Sequence, residues 1–326
     1  MYFKVKLMSK NTIQFQKGLG IMQFLSNYGS EEQCENALLS WRWPDGFQCP
    51  KCGCRSFCRL HRKAEFQCNR CRQQTSLTSN TIFDSTKLPL TTWFLGIYLI
   101  TQNKAGISCL TLRRQLGISY NAALRMKHKL MQVMMERDNH WQLSGFVQVD
   151  DAYCGGERHG GRRGRGSENK APFVAAVQTD ADNHPIYMSF NAVDNFQRKT
   201  IQEWAEHALK KGTQVVSDGL SCFRGIADAG CQHTAIITGG GHASMENELF
   251  TWVNTMLGNV KTAITGTYHK LDPKHLSRYL SEFNYRFNRR FEMPSMISRL
   301  GRAAVNTAPM PDRLLKLPDV QWAPAV

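Results

Sequence analysis

The feature that most constrains this chain is a pair of Cys-x-x-Cys sequences separated by fifteen residues. Their cysteines are Cys49, Cys52, Cys68 and Cys71. Four thiolates at one point give Zn²⁺ a closed tetrahedral shell, which is typical of a structural site. The spacing therefore predicts a zinc ribbon, in which the metal stabilises a segment too small to fold by its own core. A redox-active cysteine pair is the alternative interpretation.

The charge of the chain points to a polyanionic partner. Its 326 residues include 41 Lys and Arg against 26 Asp and Glu, a net charge of +15, which favours nucleic-acid binding. A hydrophobic content of 42% excludes wholesale disorder. No apolar run approaches the roughly 20 residues of a membrane span, and no secretory signal is recognisable. We therefore expect a cytoplasmic, nucleoid-associated protein without a membrane partner, whose clustered cysteines bind metal.

The hydrophobic periodicity predicts a chain of the α/β class. Segments 108–115 and 119–136 have helical spacing and are joined at a turn that contains Gly117. Strand and helix signals alternate from 145 to 265. A basic, aromatic helix is predicted over 271–291, and the Pro-rich residues after it predict no further element.

The two helices before residue 140 resemble a helix-turn-helix, with Ser119 as the N-cap of the second helix. That helix would then present polar side chains to a DNA groove. The candidates are Asn121, Arg125, Lys127, His128 and Lys129. An ordinary helical hairpin is the alternative interpretation.

Two of the predicted strands end in acidic residues, namely Asp150 with Asp151 and, later in the chain, Asp218. Acids at the end of a buried strand are costly unless they are paired. Carboxylates that adjacent strands deliver to one edge of a sheet can bind hard divalent cations. Two such ions about 4 Å apart can activate a nucleophile and stabilise the leaving oxygen of a phosphodiester. Capping of turns by the acids is the alternative interpretation.

A predicted helix over 246–262 offers a third ligand for such a site. Its candidates are Glu246, Glu248 and Asn254. Asn254 lies two helical turns before Lys261 on the same face, so this pair could bind a metal ion and a DNA phosphate. From the residues alone, a glutamate would be the natural choice.

Two further segments carry basic residues suited to DNA. The first, 155–170, is rich in Gly and Arg and follows the first acidic strand, so it could clamp the phosphate backbone. Its arginines are Arg158, Arg162, Arg163 and Arg165. In the basic helix near the end, we expect the aromatic residues to pack on the core while Arg286, Arg289 and Arg290 face DNA. A solvated hairpin is the alternative for 155–170.

Together these motifs resemble the zinc-ribbon DDE transposases of bacterial insertion sequences, in the group called fifteen-ninety-five or ISXO-type. The segments that carry the resemblance are 147–156 (VQVDDAYCGG), 215–219 (VVSDG), 252–261 (WVNTMLGNVK), 266–269 (GTYH) and 278–290 (RYLSEFNYRFNRR). The resemblance implies an RNase H-like catalytic domain that holds Mg²⁺ or Mn²⁺.

The resemblance also implies roles for individual residues. It makes Asp150, Asp218 and Asn254 the catalytic metal ligands and gives Lys261 a supporting role, although many relatives have Glu in place of Asn254. Asp151 stands where relatives often have Glu. We expect Asp151 on the opposite face of the strand from Asp150, because strand side chains alternate.

The resulting organisation has five parts. They are an N-terminal helical segment (1–45), a zinc ribbon (46–80), a helix-turn-helix-like DNA-binding region (81–140), an RNase H-like domain (141–291) and a C-terminal tail (292–326). The resemblance implies a transposase that binds terminal inverted repeats on double-stranded DNA, cleaves the strands and joins them to target DNA, as a homodimer or higher oligomer. A non-catalytic DNA-binding regulator and a nuclease that cuts without joining are the alternative hypotheses.

Overall fold

The computed structural model describes residues 17–60, 65–155, 170–237, 248–268 and 271–317. Its α-helices are α1 Ile21–Tyr28, α2 Glu31–Arg42, α3 Leu90–Gln102, α4 Cys109–Leu116, α5 Tyr120–Asp138, α6 Arg198–Ala208, α7 Gly225–Asp228, α8 Thr251–Ala263, α9 Leu276–Asn288, α10 Met296–Asn306 and α11 Asp312–Leu315. Its strands are β1 Phe57–Leu60, β2 Glu65–Cys68, β3 Gln74–Ser76, β4 Phe146–Cys154, β5 Ala171–Thr179, β6 Pro185–Ala192, β7 Gln214–Asp218 and β8 Gln232–Ile236. Within these residues, none of the helices has the length and apolar character that crossing a bilayer requires.

The five predicted strands of the second half form one sheet in the order β6–β5–β4–β7–β8. Strands β4, β5 and β6 are antiparallel neighbours, whereas β7 runs parallel to β4 and β8 parallel to β7. This is the RNase H-like topology that the family resemblance implies. Because β4 and β7 are parallel, their carboxyl ends lie at the same edge of the sheet.

Helices cover both faces of this sheet. Val147 and Val149 of β4 pack in a core with α6, while Ala152 packs in a second core with α8 and α9. Side chains alternate along a strand, so the even-numbered residues Gln148 and Asp150 share the face that α8 covers.

Helix α8 is anchored to the sheet by Gln148. This side chain is completely buried, and its Oε1 accepts the backbone N–H groups of Trp252 at 3.0 Å and Val253 at 3.1 Å. The first N–H groups of a helix have no partner within the helix, so Gln148 caps α8 from the sheet. It thereby fixes α8 relative to Asp150, two residues further along β4.

A third core joins the N-terminal helices, the ribbon and the C-terminal helix α10. Leu38 of α2, Phe94 of α3 and Leu300 of α10 are completely buried in it. The ring of Trp41 stacks on that of Phe94, with 5.2 Å between the ring centroids. The sequence analysis predicts no helix here, because α10 is a short element flanked by prolines. Its apolar positions nevertheless have helical spacing.

The predicted helix pair is confirmed in α4 and α5. The side-chain oxygens of Ser108 and Ser119 each accept a backbone N–H three residues further on, which caps the start of each helix. Gly117 ends α4 in the left-handed conformation, with φ of 65°, which glycine adopts without strain. The turn chemistry therefore fixes both helix boundaries.

The exposure of the polar side chains of α5 differs from the prediction. Asn121 and Arg125 are exposed, but Lys127 and His128 are buried because α9 packs along α5. Lys129 is half-buried and donates its ammonium group to the carbonyl oxygen of Ile82 at 2.9 Å. Lys129 therefore has a partner within the protein, and its contact with DNA stays a prediction.

The arginines at the end of α9 also turn inward. Arg289 donates to a carboxylate oxygen of Asp138 at 2.9 Å, and Arg290 donates to the carbonyl oxygens of Ile186 at 2.9 Å and Phe287 at 2.8 Å. The guanidinium of Arg290 also stacks on the ring of Phe287 at 3.8 Å. The prediction that Arg289 and Arg290 face DNA is therefore wrong, because α9 is packed between α5 and β6 rather than lying at the surface.

The packing of α10 on Trp41 provides a test of this core. A Cβ atom at Gly301 would lie 2.1 Å from Cζ3 of Trp41, so Gly301→Ala should lower the free energy of unfolding by about 1–3 kcal/mol, as overpacking does. Gly258→Ala in α8 is the matched control. Its Cβ would have no neighbour within 4 Å, and alanine favours a helix over glycine by about 1 kcal/mol. Thermal unfolding followed by circular dichroism should separate the two variants, and equal midpoints would contradict this packing.

Candidate active site and metal centres

The candidate active site forms where the pairing of β4 with β7 ends. Val149 and Ser217 are the last paired residues of the two strands, and the next residues are Asp150 and Asp218. Because the strands are parallel and in register, the two carboxylates lie side by side on the face that α8 covers. One carboxylate oxygen from each of Asp150, Asp151 and Asp218 lies within 4.8 Å of the other two.

The position of Asp151 differs from the sequence expectation. Strand β4 continues to Cys154, so alternation alone would place Asp151 on the far face. However, the pairing of β4 with β7 ends at Val149, which leaves the edge open, and the carboxylate of Asp151 reaches the other two acids. The site therefore holds three acids, one more than the two that sequence reasoning brought together.

The electrostatics of the site favour a cation. Burial raises the pKa of Asp150 to about 7, and the negative charges of Asp151 and Asp218 add to this effect. The backbone N–H of Asp151, which donates to Asp150 Oδ1 at 2.8 Å, and the charge of Lys261 oppose it. Converging carboxylates that repel one another are stabilised when a divalent cation binds between them.

The remaining predicted residues, Asn254 and Lys261, lie on helix α8. The charge of Lys261 acts on Asp150 and also lowers the pKa of Cys154, although burial raises the latter more. Lys261 itself is exposed, so its charge acts on these groups through space. Asn254 is half-buried and lies seven residues earlier on the same face of α8.

The other predicted residues fall outside this cluster or outside the described residues. Glu248 is exposed in a short turn before α8, and it is not among the described acids that converge. Glu246 lies outside the described residues. The same holds for Arg158, Arg162, Arg163 and Arg165.

The four predicted cysteines form a second cluster. Their sulfur atoms all lie within 4.8 Å of one another, with 3.5 Å between Cys49 and Cys71 and 3.6 Å between Cys52 and Cys68. A tetrahedron with metal–sulfur bonds of about 2.3 Å has edges of about 3.8 Å. The cluster therefore has the size of a four-thiolate metal site.

Backbone N–H groups of the ribbon favour the thiolate form of Cys68. The backbone N–H of Cys71 lowers the pKa of Cys68 to about 6, and the N–H of Arg70 contributes in the same direction. The thiolate is the form that binds metal. Cys49 and Cys68 are buried in the core shared with α2, α3 and α10, so the ribbon is continuous with that core.

The ribbon also presents basic side chains to solvent. Lys51, Arg55, Arg70 and Arg72 are exposed around the cysteine cluster. In the helix pair, Arg125 is exposed and forms an ion pair with Asp312 at 2.8 Å. Among the residues that the structure describes, these are candidates for contact with DNA.

Residues 29–74 match the transposase zinc-ribbon domain family, and residues 142–288 match the ISXO2-like transposase domain family. The chain thus carries a transposase zinc ribbon and an ISXO2-like transposase domain. The zinc ribbon and the DDE domain therefore occur in the order that the sequence analysis predicts, and the family assignment made from the motifs is confirmed.

The individual proteins that resemble this chain share little sequence identity with it. The chain is 27% identical over 183 residues to an uncharacterized protein in transposable element ISH50 of Halobacterium salinarum. That match covers 51% of this chain and 61% of the relative. Among solved structures, the Mos1 strand transfer complex matches with 12% identity and a TM-score of 0.22, covering 61% of this chain and 76% of that one. A pre-cleavage Mos1 transpososome matches with 10% identity and a TM-score of 0.19, covering 60% and 74%.

Sequence reasoning missed two residues that shape the site. Asp151 was set aside because strict alternation points it away. Gln148 was not considered, although a polar residue between two valines of a buried strand is a signal that its side chain has a buried partner. Its partner is the start of α8.

The raised pKa of Asp150 predicts a pH-dependent stability without added Mg²⁺ or Mn²⁺. In the unfolded chain an aspartate ionises near pH ~4, whereas Asp150 in the folded chain holds its proton to about pH 7. Ionisation of Asp150 therefore lowers the free energy of unfolding as the pH rises from about 4 to about 7. Asp150→Asn should match the wild type at pH 4 and be more stable at pH 8, by at most about 4 kcal/mol at about 1.4 kcal/mol per pKa unit.

Urea denaturation of zinc-loaded protein at the two pH values measures this difference. Asp182→Asn, on an exposed turn, is the control and should show no such gain at pH 8. A gain for Asp150→Asn that is equal at both pH values would contradict the buried, self-repelling cluster.

The thiolate cluster predicts a strong dependence of folding on metal. Cys68→Ser should lose the bound zinc and lower the thermal midpoint of the whole N-terminal half, since structural zinc contributes on the order of 10 kcal/mol. Cys58→Ser is the matched control, because Cys58 is exposed and outside the cluster. Zinc content by atomic absorption and thermal unfolding test both variants. Stoichiometric zinc in Cys68→Ser would refute the assignment of the ligands.

Proposed function

We propose that this protein is the DNA transposase of an insertion sequence. In this proposal it binds the terminal inverted repeats of its element, cleaves the strand ends and transfers them to target DNA with a divalent cation. The observation that carries the proposal is the convergence of Asp150, Asp151 and Asp218 within 4.8 Å, in a chain that carries an ISXO2-like transposase domain.

The donor set of the site fits Mg²⁺ or Mn²⁺. Carboxylate and amide oxygens are the ligands of hard cations, and we propose that Asp150, Asp218 and Asn254 hold the metal. When bound, such ions activate an attacking oxygen and stabilise the leaving oxygen of a phosphodiester. The carbonyl of Asn254 is neutral, so the site is less negative than one with a third catalytic carboxylate, and Asp151 offsets part of that difference.

The side chains around the acids perform the remaining tasks. Lys261 carries a positive charge on the same face of α8 as Asn254, where it can hold a DNA phosphate near the acids. The exposed basic residues of the ribbon are Lys51, Arg55, Arg70 and Arg72. Zn²⁺ is the proposed structural ion of the ribbon. We propose that these four basic residues and Arg125 bind the DNA backbone. The arginines that we propose to clamp the backbone next to the acids are Arg158, Arg162, Arg163 and Arg165. We also propose that the protein acts as a homodimer or higher oligomer on paired ends.

The proposal is tested by strand transfer with DNA that carries the terminal repeats. Asp150→Ala and Asp218→Ala should reduce Mg²⁺-dependent joining by at least about a hundredfold, because metal-ion catalysis supplies several kcal/mol. Binding to the same DNA in a gel-shift assay should be retained. Undiminished joining would eliminate the metal mechanism, and wild-type protein that binds specifically but never cuts would indicate a regulator. Cutting without a joined product would indicate a nuclease.

Substitutions in α8 test the third ligand. Asn254→Ala should lower joining strongly, whereas Asn254→Asp restores an oxygen ligand with an added charge and should reach half-maximal activity at a lower Mg²⁺ concentration. Asn259→Ala is the matched control, because Asn259 lies on the same helix and lines a cavity on its other side. Equal effects of Asn254→Ala and Asn259→Ala would show that Asn254 is not a ligand.

A further inference from the structure

A buried cluster of charged side chains, centred on Glu282 of α9, lies next to the turn that follows the C-terminal end of helix α8. Glu282 and Lys127 of α5 are both completely buried. The carboxylate of Glu282 accepts the hydroxyl of Tyr268 at 2.9 and 3.0 Å, and it lies 3.5 Å from Lys127 Nζ and 3.6 Å from Arg286 Nη2. Lys127 Nζ also lies 3.8 Å from the centroid of the Tyr268 ring. We refer to Lys127, Tyr268, Glu282 and Arg286 as the Glu282 cluster.

The members of the Glu282 cluster come from three separate parts of the fold. Tyr268 is the last residue of a π-helical turn, Ile264–Tyr268, which continues directly from α8. Lys127 belongs to the second helix of the helix pair, while Glu282 and Arg286 lie on α9. The cluster therefore ties the C-terminal end of α8 to the helix pair.

The segment that links α3 to the helix pair is held by the same cluster. Lys127 donates to the carbonyl oxygen of Ile107 at 2.6 Å, and Arg286 donates to that of Lys104 at 2.7 Å. Gly106, with φ of 81°, lies so close that a Cβ atom there would be 2.1 Å from the Tyr268 hydroxyl. The linker and the end of α8 are therefore in direct van der Waals contact.

Stability alone is a poor explanation for such a cluster. Burying two cations and a carboxylate costs several kcal/mol per ion in desolvation, and an apolar core of the same volume is often as stable. What a hydrogen-bonded charge cluster provides is a fixed geometry for its members. The member that it fixes most directly, through two short contacts and a cation above its ring, is Tyr268.

Helix α8 is thus held at both ends. Gln148 caps its first turn from the strand that carries Asp150, and Tyr268 fastens the turn that follows its last residue to Glu282. Asn254 and Lys261 lie between these two anchors. Their distance from Asp150 and Asp218 therefore depends on both.

We infer that the Glu282 cluster positions α8 against the acids, with Tyr268 as the positioning residue that sets where Asn254 and Lys261 lie. This inference rests on the proposed function, because it assigns a role to Tyr268 in the metal site proposed there. Loss of the Tyr268 hydroxyl releases the C-terminal end of α8 and weakens metal binding at the acids without removing any ligand.

Binding of Mn²⁺ to the zinc-loaded full chain, followed by electron paramagnetic resonance of the free ion, tests the inference directly. Tyr268→Phe keeps the ring beneath Lys127 and removes only the hydroxyl. It should weaken Mn²⁺ binding by at most about tenfold, the lower limit of the loss caused by removing a direct partner of a metal ligand, because Tyr268 acts on the ligands only through α8. Tyr279→Phe is the matched control. Tyr279 lies on α9, its hydroxyl is 3.5 Å from His128, and it is not part of α8, so Mn²⁺ affinity should be unchanged.

The outcomes separate this inference from the proposed function. If Asp150→Asn binds Mn²⁺ as tightly as the wild type, the metal site itself is wrong. If Asp150→Asn loses binding but Tyr268→Phe does not, the metal site stands and the positioning role is overturned. Equal weakening by Tyr268→Phe and Tyr279→Phe would also overturn it, since general loosening of the core would then explain the effect.

A second variant approaches Tyr268 from the linker. Gly106→Ala places a methyl group against the Tyr268 hydroxyl and should also weaken Mn²⁺ binding. In the double variant Gly106→Ala with Tyr268→Phe the hydroxyl is gone, so its Mn²⁺ affinity should be no weaker than that of Gly106→Ala alone. Additive losses would show that the two residues act independently and would contradict the contact on which the inference depends.

Discussion

The parallel pairing of β4 with β7 is the interaction on which the site depends. It brings Asp150 and Asp218, which are far apart in the chain, to neighbouring positions at one sheet edge. Burial, together with repulsion by Asp151 and Asp218, raises the pKa of Asp150 to about 7. The backbone hydrogen bonds of the sheet hold the acids in this unfavourable arrangement, and a cation can relieve it.

Much of this arrangement was predictable from local patterns. The strands, the ribbon and the capped helix pair have signals that depend on a few neighbouring residues, such as alternation, Cys-x-x-Cys spacing and a serine before each helix. Asp150 and Asp218 were recognisable because each follows the apolar residues of a predicted strand. Family resemblance, rather than periodicity, selected Asn254 over the glutamates.

The parts that could not be predicted depend on which element covers which. Lys127, Lys129 and Arg290 have the composition of a DNA-binding surface, yet α9, the segment around Ile82 and the edge of β6 cover them. A basic side chain is exposed or buried according to its tertiary neighbours, and a single sequence does not reveal these. The net charge of +15 therefore overstates the positive charge available to a polyanion. Several basic side chains instead pair with carboxylates or donate to carbonyl oxygens inside the protein.

Strand β4 has two roles that lie only two residues apart. Asp150 supplies a carboxylate to the site, and Gln148 holds the first turn of the helix that faces it. Any twist or slide of this strand would carry the acid and the opposing helix along together. The spacing between this acid and the start of the facing helix is thus insulated from deformation of the surrounding sheet.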